Sequence, residues 1–355
     1  LKVLFIYRFL TLGGCEAVLR ARLDGLRELG IESHAWFFHD LGGRSMFRGI
    51  ERQISIGSVE DCWRMIRRRN FDLVSTLDTN EILPFFLSPQ RSRLVIEVHS
   101  PYRENIEYLR HVNRVQVGAY FVPSYYQGEV VKKLLGRGAD VRVIPNPLRQ
   151  QFVLEPRKLQ PPNGFSRPVV AWLGRMDELK NWRAMIRIAS HVLAAKRDVD
   201  FWIVGRPADR RVGAELLELA RKEQILEHIR WFNGVPHDCV PAVLDLVRDS
   251  GGLMISTSRG DSFGMTVAEA MARACPVLVP GRSPFTEFVE DQKTGLYYDL
   301  KGLEKAAGRV RELLEDSERR RRLGWAGRES ILATYSPKQA LRVLGGQLRS
   351  MVSRG

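Results

Sequence analysis

Two carboxylates stand eight positions apart in the stretch RGDSFGMTVAEAMARACPVLVPG, Asp261 and Glu269, and they make different demands on their surroundings. Asp261 falls just before a helix that the pattern starts near Phe263 or Gly264. An acid there caps exposed N–H groups, a role worth roughly 1 kcal/mol. Glu269 sits about a turn and a half further in, flanked by Val267, Ala268, Ala270 and Met271. A carboxylate in such company needs a hydrogen-bond partner, and the hydroxyls of a ligand are good donors to it. The free N–H groups near Gly264, Met265 and Thr266 offer a place for a phosphate.

Three further stretches carry chemistry-bearing residues. In WLGRMDELKNW, Arg175 and Lys180 follow a strand and open the next helix. Cations at a helix start oppose its dipole. The pair reads either as a diphosphate clamp, a planar fork beside a mobile point charge, or as two solvated surface cations. In EVHSPY, His99 follows a strand directly, which weighs against the usual structural role of a lone histidine. In TLGGCEA, Gly13 and Gly14 lie between strand and helix. They either let a backbone approach a phosphate or simply make a tight turn. The four cysteines, Cys15, Cys62, Cys239 and Cys275, form no CxxC pair, and the seven histidines form no metal-binding spacing.

These residues need a scaffold that gathers strand ends. KVLFIYRF reads as a buried strand, followed by a turn at TLGG and a helix through CEAVLRARLDGLRELG that stops at Gly30. SHAWFF and residues 72–76, 93–98, 119–122 and 141–145 read as strands, with helices at 59–69 and 125–135. From Glu155 to Pro168, four prolines in fourteen residues mark a linker. The alternation then restarts with strands at 169–174, 201–205, 229–232 and 252–257, helices from Asn181 and over 213–223, and a terminal helix from Pro337. Strands alternating with helices give parallel sheets covered on both faces. Two such halves are two Rossmann-like domains, with ligand chemistry expected beyond the carboxyl ends of the strands, in a cleft between them.

At 355 residues, 44% hydrophobic and 27% charged, the chain can bury two cores. No apolar run approaches the roughly 18 residues of a membrane span. The opening strand reads as a domain start with no leader, and scattered cysteines suit a reducing cytoplasm. The formal charge of +14 favours anionic partners: nucleic acid, acidic lipid or phosphorylated substrates. Arg67–Arg69 and Arg319–Arg322 are its densest runs, and the plain reading of each is a solvated helix face.

In combination, the motifs resemble the retaining GT-B glycosyltransferases of the family 4 (glycosyl transferases group 1) type. RGDSFGMTVAEAMARACPVLVPG looks like that family's donor-binding segment, with Glu269 matching the second of its two acids. GRMDELKN resembles the Gly-Arg…Lys phosphate loop, GGCEA the N-terminal glycine loop, and VIPNPL (143–148) the Pro-Asn segment ahead of the linker. These landmarks span nearly the whole chain in the family's order. The first acid departs from the pattern: Asp261 replaces the usual glutamate, which shortens its reach by roughly 1.5 Å.

The resemblance implies an α/β GT-B fold of two facing Rossmann-like domains with parallel sheets and a deep inter-domain cleft. Residues 1–150 would form the acceptor side, with helix 336–355 packing back on it, and 151–335 the nucleotide-sugar side. It implies a metal-independent, hexosyltransferase-like enzyme with no cofactor, working in polysaccharide or glycolipid assembly. Glu269 would hold the donor ribose, and Arg175 and Lys180 its diphosphate. Gly13, Gly14, Ser262, Phe263, Gly264, Met265 and Thr266 would meet further donor oxygens. The base would lie by Gly234 and Val235, His99 would contact the transferred sugar, and Asp261 would orient it. The acceptor would be a carbohydrate or a lipid-linked carrier, with Arg67–Arg69 touching anionic lipid at the cytoplasmic face of a membrane. Alternatives are an epimerase of nucleoside-diphosphate sugars on the same scaffold, and a basic nucleic-acid-binding protein without catalysis. The second leaves Glu269 and the glycine loops unexplained and shows no RNP, zinc-finger or helix-turn-helix signature. A nicotinamide dehydrogenase lacks its full glycine fingerprint.

Overall fold

A strand buried on both faces reads as an unbroken apolar run, and Val3, Leu4, Phe5 and Ile6, all fully buried, are such a run. The computed structural model describes residues 1–88, 93–136, 138–159, 164–207 and 209–353; residues 160–163 of the expected linker fall outside them. The chain divides into one unit of Leu1–Gln150 with Thr334–Gly355, and a second of Gln151–Ala333.

The first unit is built on β1 (Lys2–Leu10), β2 (Glu32–Asp40), β3 (Ile54–Ile56), β4 (Leu73–Leu77), β5 (Arg93–Glu97), β6 (Val117–Val122) and β7 (Val141–Val143). They form one sheet in the order β3-β2-β1-β4-β5-β6-β7, every pair parallel. Helices α1 (Gly14–Gly25), α2 (Val59–Arg69) and α3 (Tyr125–Leu135) make its crossovers, and the short α4 (Gln150–Val153) follows. Alternation along β1 sends Val3 and Phe5 into one apolar cluster and Leu4 and Ile6 into the other, so each face of the sheet has its own core.

The second unit uses β8 (Val169–Leu173), β9 (Asp200–Val204), β10 (Ile229–Phe232), β11 (Leu253–Ile255), β12 (Val277–Pro280) and β13 (Leu296–Tyr298). The order β10-β9-β8-β11-β12-β13 is the doubly wound order of nucleotide-binding sheets, again parallel throughout. Its helices are α5 (Trp182–Leu193), α6 (Arg210–Lys222), α7 (Val240–Asp249), α8 (Met265–Ala272), α9 (Leu303–Glu315) and α10 (Ser317–Tyr335). The last helix, α11 (Pro337–Ser353), lays Leu341, Leu344, Leu348 and Met351 into the first unit's core beside Leu19 and Leu23 of α1.

Several details differ from the sequence reading, which also named no helix over Val240–Asp249 or Leu303–Glu315. The first helix ends at Gly25 and continues as a tighter turn, Leu26–Leu29, closed by Gly30 at φ +69°. Leu341 presses on Gly25 so closely that a Cβ there would lie 2.2 Å from its Cδ1. The strand expected over 252–257 stops at Ile255, because the residues after it build a loop. Strands β3 and β13, three residues each, were unforeseen; edge strands this short leave no periodicity to read.

Candidate functional site

In a doubly wound sheet the connections diverge between the two central strands, leaving a crevice at their carboxyl ends. In the second unit those strands are β8 and β11. The loop after β8 carries Arg175 and Lys180, and the loop after β11 carries Asp261. One threonine ties them: Thr257 Oγ1 accepts from the Trp172 indole N–H at 2.9 Å and faces the carbonyls of Lys180 and Asn181 at 3.0 and 2.9 Å. The Arg259 N–H donates to the Leu179 carbonyl at 2.8 Å. So fastened, the loops bring Lys180 Nζ to Asp261 Oδ2 at 2.5 Å, although 81 positions separate them. The side chains are 19% and 10% exposed, which makes this pair far less screened than a surface ion pair.

Asp261 does not serve the helix as its sequence position suggested. Its Oδ1 accepts the Ser262 N–H at 2.9 Å, within its own loop, and its other oxygen takes Lys180. Helix α8 begins after Gly264 with no side-chain cap, leaving its first N–H groups to water or an anion. Gly264 has φ +103°, and a Cβ there would lie 2.6 Å from Phe285 Cε1. Phe263 is buried against Phe288, ring centroids 5.0 Å apart, which anchors the loop from below. Ser262 is also buried, while Met265 and Thr266 are half-buried. Arg175 is largely exposed, its Nε 3.5 Å from Asp177 Oδ2, and the other oxygen of that carboxylate accepts the Lys180 N–H.

Glu269 is buried inside α8, as its neighbours required, and it has a protein partner: His237 Nε2 lies 2.9 Å from Glu269 Oε1. The His237 ring also packs on Phe152 at 5.2 Å. Sequence reasoning missed His237, one of seven unclustered histidines. The available signal was its place three positions past Gly234, on the loop that leaves β10 at the same sheet edge. Gly234, at φ +84°, and Val235 belong to that loop. Asp245 on α7 accepts a two-pronged ion pair from Arg273, whose side chain also donates to the Leu154 carbonyl at 2.7 Å. This buried clasp sets the far end of α8.

In the first unit the corresponding central strands are β1 and β4. Gly13 caps α1 and Gly14 opens it, and the loop ahead of them already serves an anion of the chain itself. Glu16 Oε1 accepts the Thr11 N–H at 2.6 Å and the Thr11 hydroxyl as well. Burial pushes the Glu16 carboxyl up, against the pull of these donors. His99, buried just past β5, places its Nε2 3.0 Å from Glu97 Oε2. Its backbone N–H donates to Asp78 Oδ1 at 2.9 Å. Asp78 itself follows β4 in the left-handed region, φ +45°, and burial raises its carboxyl. Sequence reasoning missed both acids.

Arg67, Arg68 and Arg69 end α2, exposed, where cations favour the helix dipole. In the other basic run, Arg319 meets Gln292 and Arg320 the Leu313 carbonyl. Among the described residues no helix is long and apolar enough to cross a membrane.

Comparison with known proteins extends this geometry. The chain is 26% identical over 268 residues to a D-inositol 3-phosphate glycosyltransferase of Segniliparus rotundus, covering 63% of this chain and 58% of that one. It is 30% identical over 211 residues to a GDP-mannose-dependent alpha-mannosyltransferase of Mycolicibacterium smegmatis, covering 59% and 49%. The chain thus spans about half the length of these curated relatives. Among solved structures, Anabaena Alr3699/HepE in complex with UDP and glucose superposes with a TM-score of 0.82 at 16% identity, covering 98% of this chain and 99% of that one. Likeness at that level establishes the fold, two parallel-sheet Rossmann-like units of the GT-B class. Residues 157–330, the stretch that holds Arg175, Lys180, Asp261 and Glu269, match the model of the family described as Glycosyl transferases group 1.

Proposed function

We propose that the chain is a retaining, metal-independent glycosyltransferase that moves a sugar from a nucleoside-diphosphate sugar to a hydroxyl acceptor. The observation that carries this reading is the pairing of Lys180 with Asp261 beside the uncapped start of α8, inside the stretch that matches the group 1 model. Cations, free N–H groups and an acid at one switch point suit a sugar diphosphate better than any other ligand class.

The donor diphosphate would share the Lys180 ammonium with Asp261, and Arg175 would swing its fork onto the phosphates. As the bond from sugar to diphosphate breaks, charge develops on the leaving oxygen, where fixed donors lower the barrier most. The acceptor hydroxyl would attack from the face the diphosphate leaves, and the departing phosphate oxygen on that face would take its proton. Glu269 would turn from His237 to the ribose hydroxyls, the base would lie against Gly234 and Val235, and His99 would contact the transferred sugar. The name of the GDP-mannose-dependent relative and the UDP and glucose of the superposed structure favour a hexose on a nucleoside diphosphate. A carbohydrate or lipid-linked acceptor, at the cytoplasmic face of a membrane and near the exposed Arg67–Arg69, fits the +14 charge.

The test is the double variant Arg175→Ala/Lys180→Ala, assayed with UDP-, GDP- and dTDP-sugars in the presence of EDTA. The native protein turns over with the chelator present, and the variant loses about 10²–10³-fold in kcat, the scale of losing a donor to a developing anion. Turnover equal to the native protein's overturns the assignment.

A further inference from the structure

Glu97 is 1% exposed, and Arg22, from α1, is wholly buried beside it. A buried ion pair is a poor way to gain stability, since apolar residues of similar volume often do better. Here it is also incompletely served: Arg22 Nε and Nη2 have no hydrogen-bond partner among the described residues, and the guanidinium lies 5.3 Å over the Phe5 ring. The carboxylate, in contrast, is fully used. Its Oε1 accepts from Arg22 Nη1 at 2.8 Å and from the Ser75 hydroxyl at 2.5 Å, and its Oε2 faces His99 Nε2 at 3.0 Å.

The protonation states follow. A guanidinium does not give up its proton in a protein. Burial pushes the Glu97 carboxyl up, but the Arg22 charge and the His99 contact outweigh it and hold the group down at about 2. An ionised carboxylate only accepts hydrogen bonds, so the proton between Glu97 and His99 belongs to Nε2. In a neutral imidazole that leaves Nδ1 as the acceptor, and Nδ1 has no partner among the described residues. The backbone is held as firmly as the ring: Asp78 Oδ1 accepts the N–H groups of His99 and Ser100 at 2.9 and 3.0 Å.

We infer that Glu97, backed by Arg22, is a positioning residue that locks His99 as the Nε2–H tautomer and turns Nδ1 into a hydrogen-bond acceptor for a sugar hydroxyl, a role that rests on His99 contacting the transferred sugar. It narrows the donor to sugars that present a free O–H at that point; an ether or deoxy position there leaves Nδ1 unpaired.

The test reads tautomer and turnover separately. In the ¹⁵N-labelled native chain, at a pH where His99 is neutral, its Nε2 should show a pyrrole-type shift and its Nδ1 a pyridine-type shift. In Glu97→Gln, Arg22 retains the amide oxygen and the amide NH₂ turns to His99, so the tautomer reverses. The expected kcat and the kcat/KM for the donor both fall about tenfold, the scale of one lost hydrogen bond. Should that variant not fold, Arg22→Met/Glu97→Gln removes the ion pair together and leaves no buried charge unmatched. A native Nδ1–H tautomer, or a tautomer that ignores Glu97→Gln, overturns the inference whatever the turnover. A reversed tautomer with unchanged kcat instead overturns the contact between His99 and the sugar.

Discussion

Glu269 was legible as a carboxylate in need of a partner, because Val267, Ala268, Ala270 and Met271 surround it in the sequence. That the partner is His237 was not, since the two meet only when β10 and α8 are folded. If the ribose is to take Glu269, its hydroxyls must replace the imidazole. His237→Ala leaves a buried acid unpaired, which should destabilise the protein by about 1–3 kcal/mol. A nucleoside diphosphate binding only the native state raises apparent stability, and in the variant it also supplies the missing donors. The thermal shift on adding UDP, GDP or dTDP should therefore be larger in His237→Ala than in the native protein. Equal shifts with all three nucleotides would remove Glu269 from the ribose. The pairing of Lys180 with Asp261 was hidden for the same reason: each residue stood out alone, but only the adjacency of β8 and β11 makes them neighbours. The Arg22–Glu97–His99 chain was less visible still, since Glu97 reads as part of an ordinary strand and Arg22 as one more helix cation.

At the scale of elements, central strands and long crossover helices were readable from periodicity, whereas three-residue edges and loop geometry were not. The start of α8 shows why. The sequence placed a helix near Gly264, but the requirement for glycine comes from a left-handed backbone and from Phe285, whose ring leaves no room for a Cβ. The Asp245–Arg273 clasp fixes the other end, so the helix cannot slide to relieve that crowding. Gly264→Ala should thus cost more than the ~1 kcal/mol at stake where a φ suits alanine, and it should shift the N–H groups of Met265 and Thr266. Chemical denaturation measures the first effect, and nucleoside-diphosphate affinity the second. A variant as stable as the native chain, binding nucleotide equally well, would mean that the loop relaxes and that α8 does not need its present start.

At the scale of the whole chain, the division into units is not a division at one point in the sequence. The first unit is completed by α11, which follows the entire second unit. The outward crossing falls between Gln150 and Gln151, ahead of the proline-rich stretch Glu155–Pro168 that the sequence marked as the linker and that belongs to the second unit. The return is written only in the apolar stripe Leu341, Leu344, Leu348 and Met351, which any amphipathic helix could carry. Those side chains share one buried cluster with Leu19, Leu23 and Leu26. Large-to-small changes at such sites cost about 2–5 kcal/mol each, against a total of roughly 5–15 kcal/mol for a domain. Leu344→Ala/Leu348→Ala should therefore bring the first unit close to unfolding. The second unit has a core of its own, with no residue of α11 in it, so its stability should hardly change. Hydrogen exchange tells these outcomes apart: amides of β1 and β4 should lose protection while those of β8 and β11 keep theirs, and a nucleoside diphosphate should still protect the second set. Equal loss in both sheets would mean that the two units fold as one cooperative body, and that the carboxyl-terminal helix stabilises the whole chain.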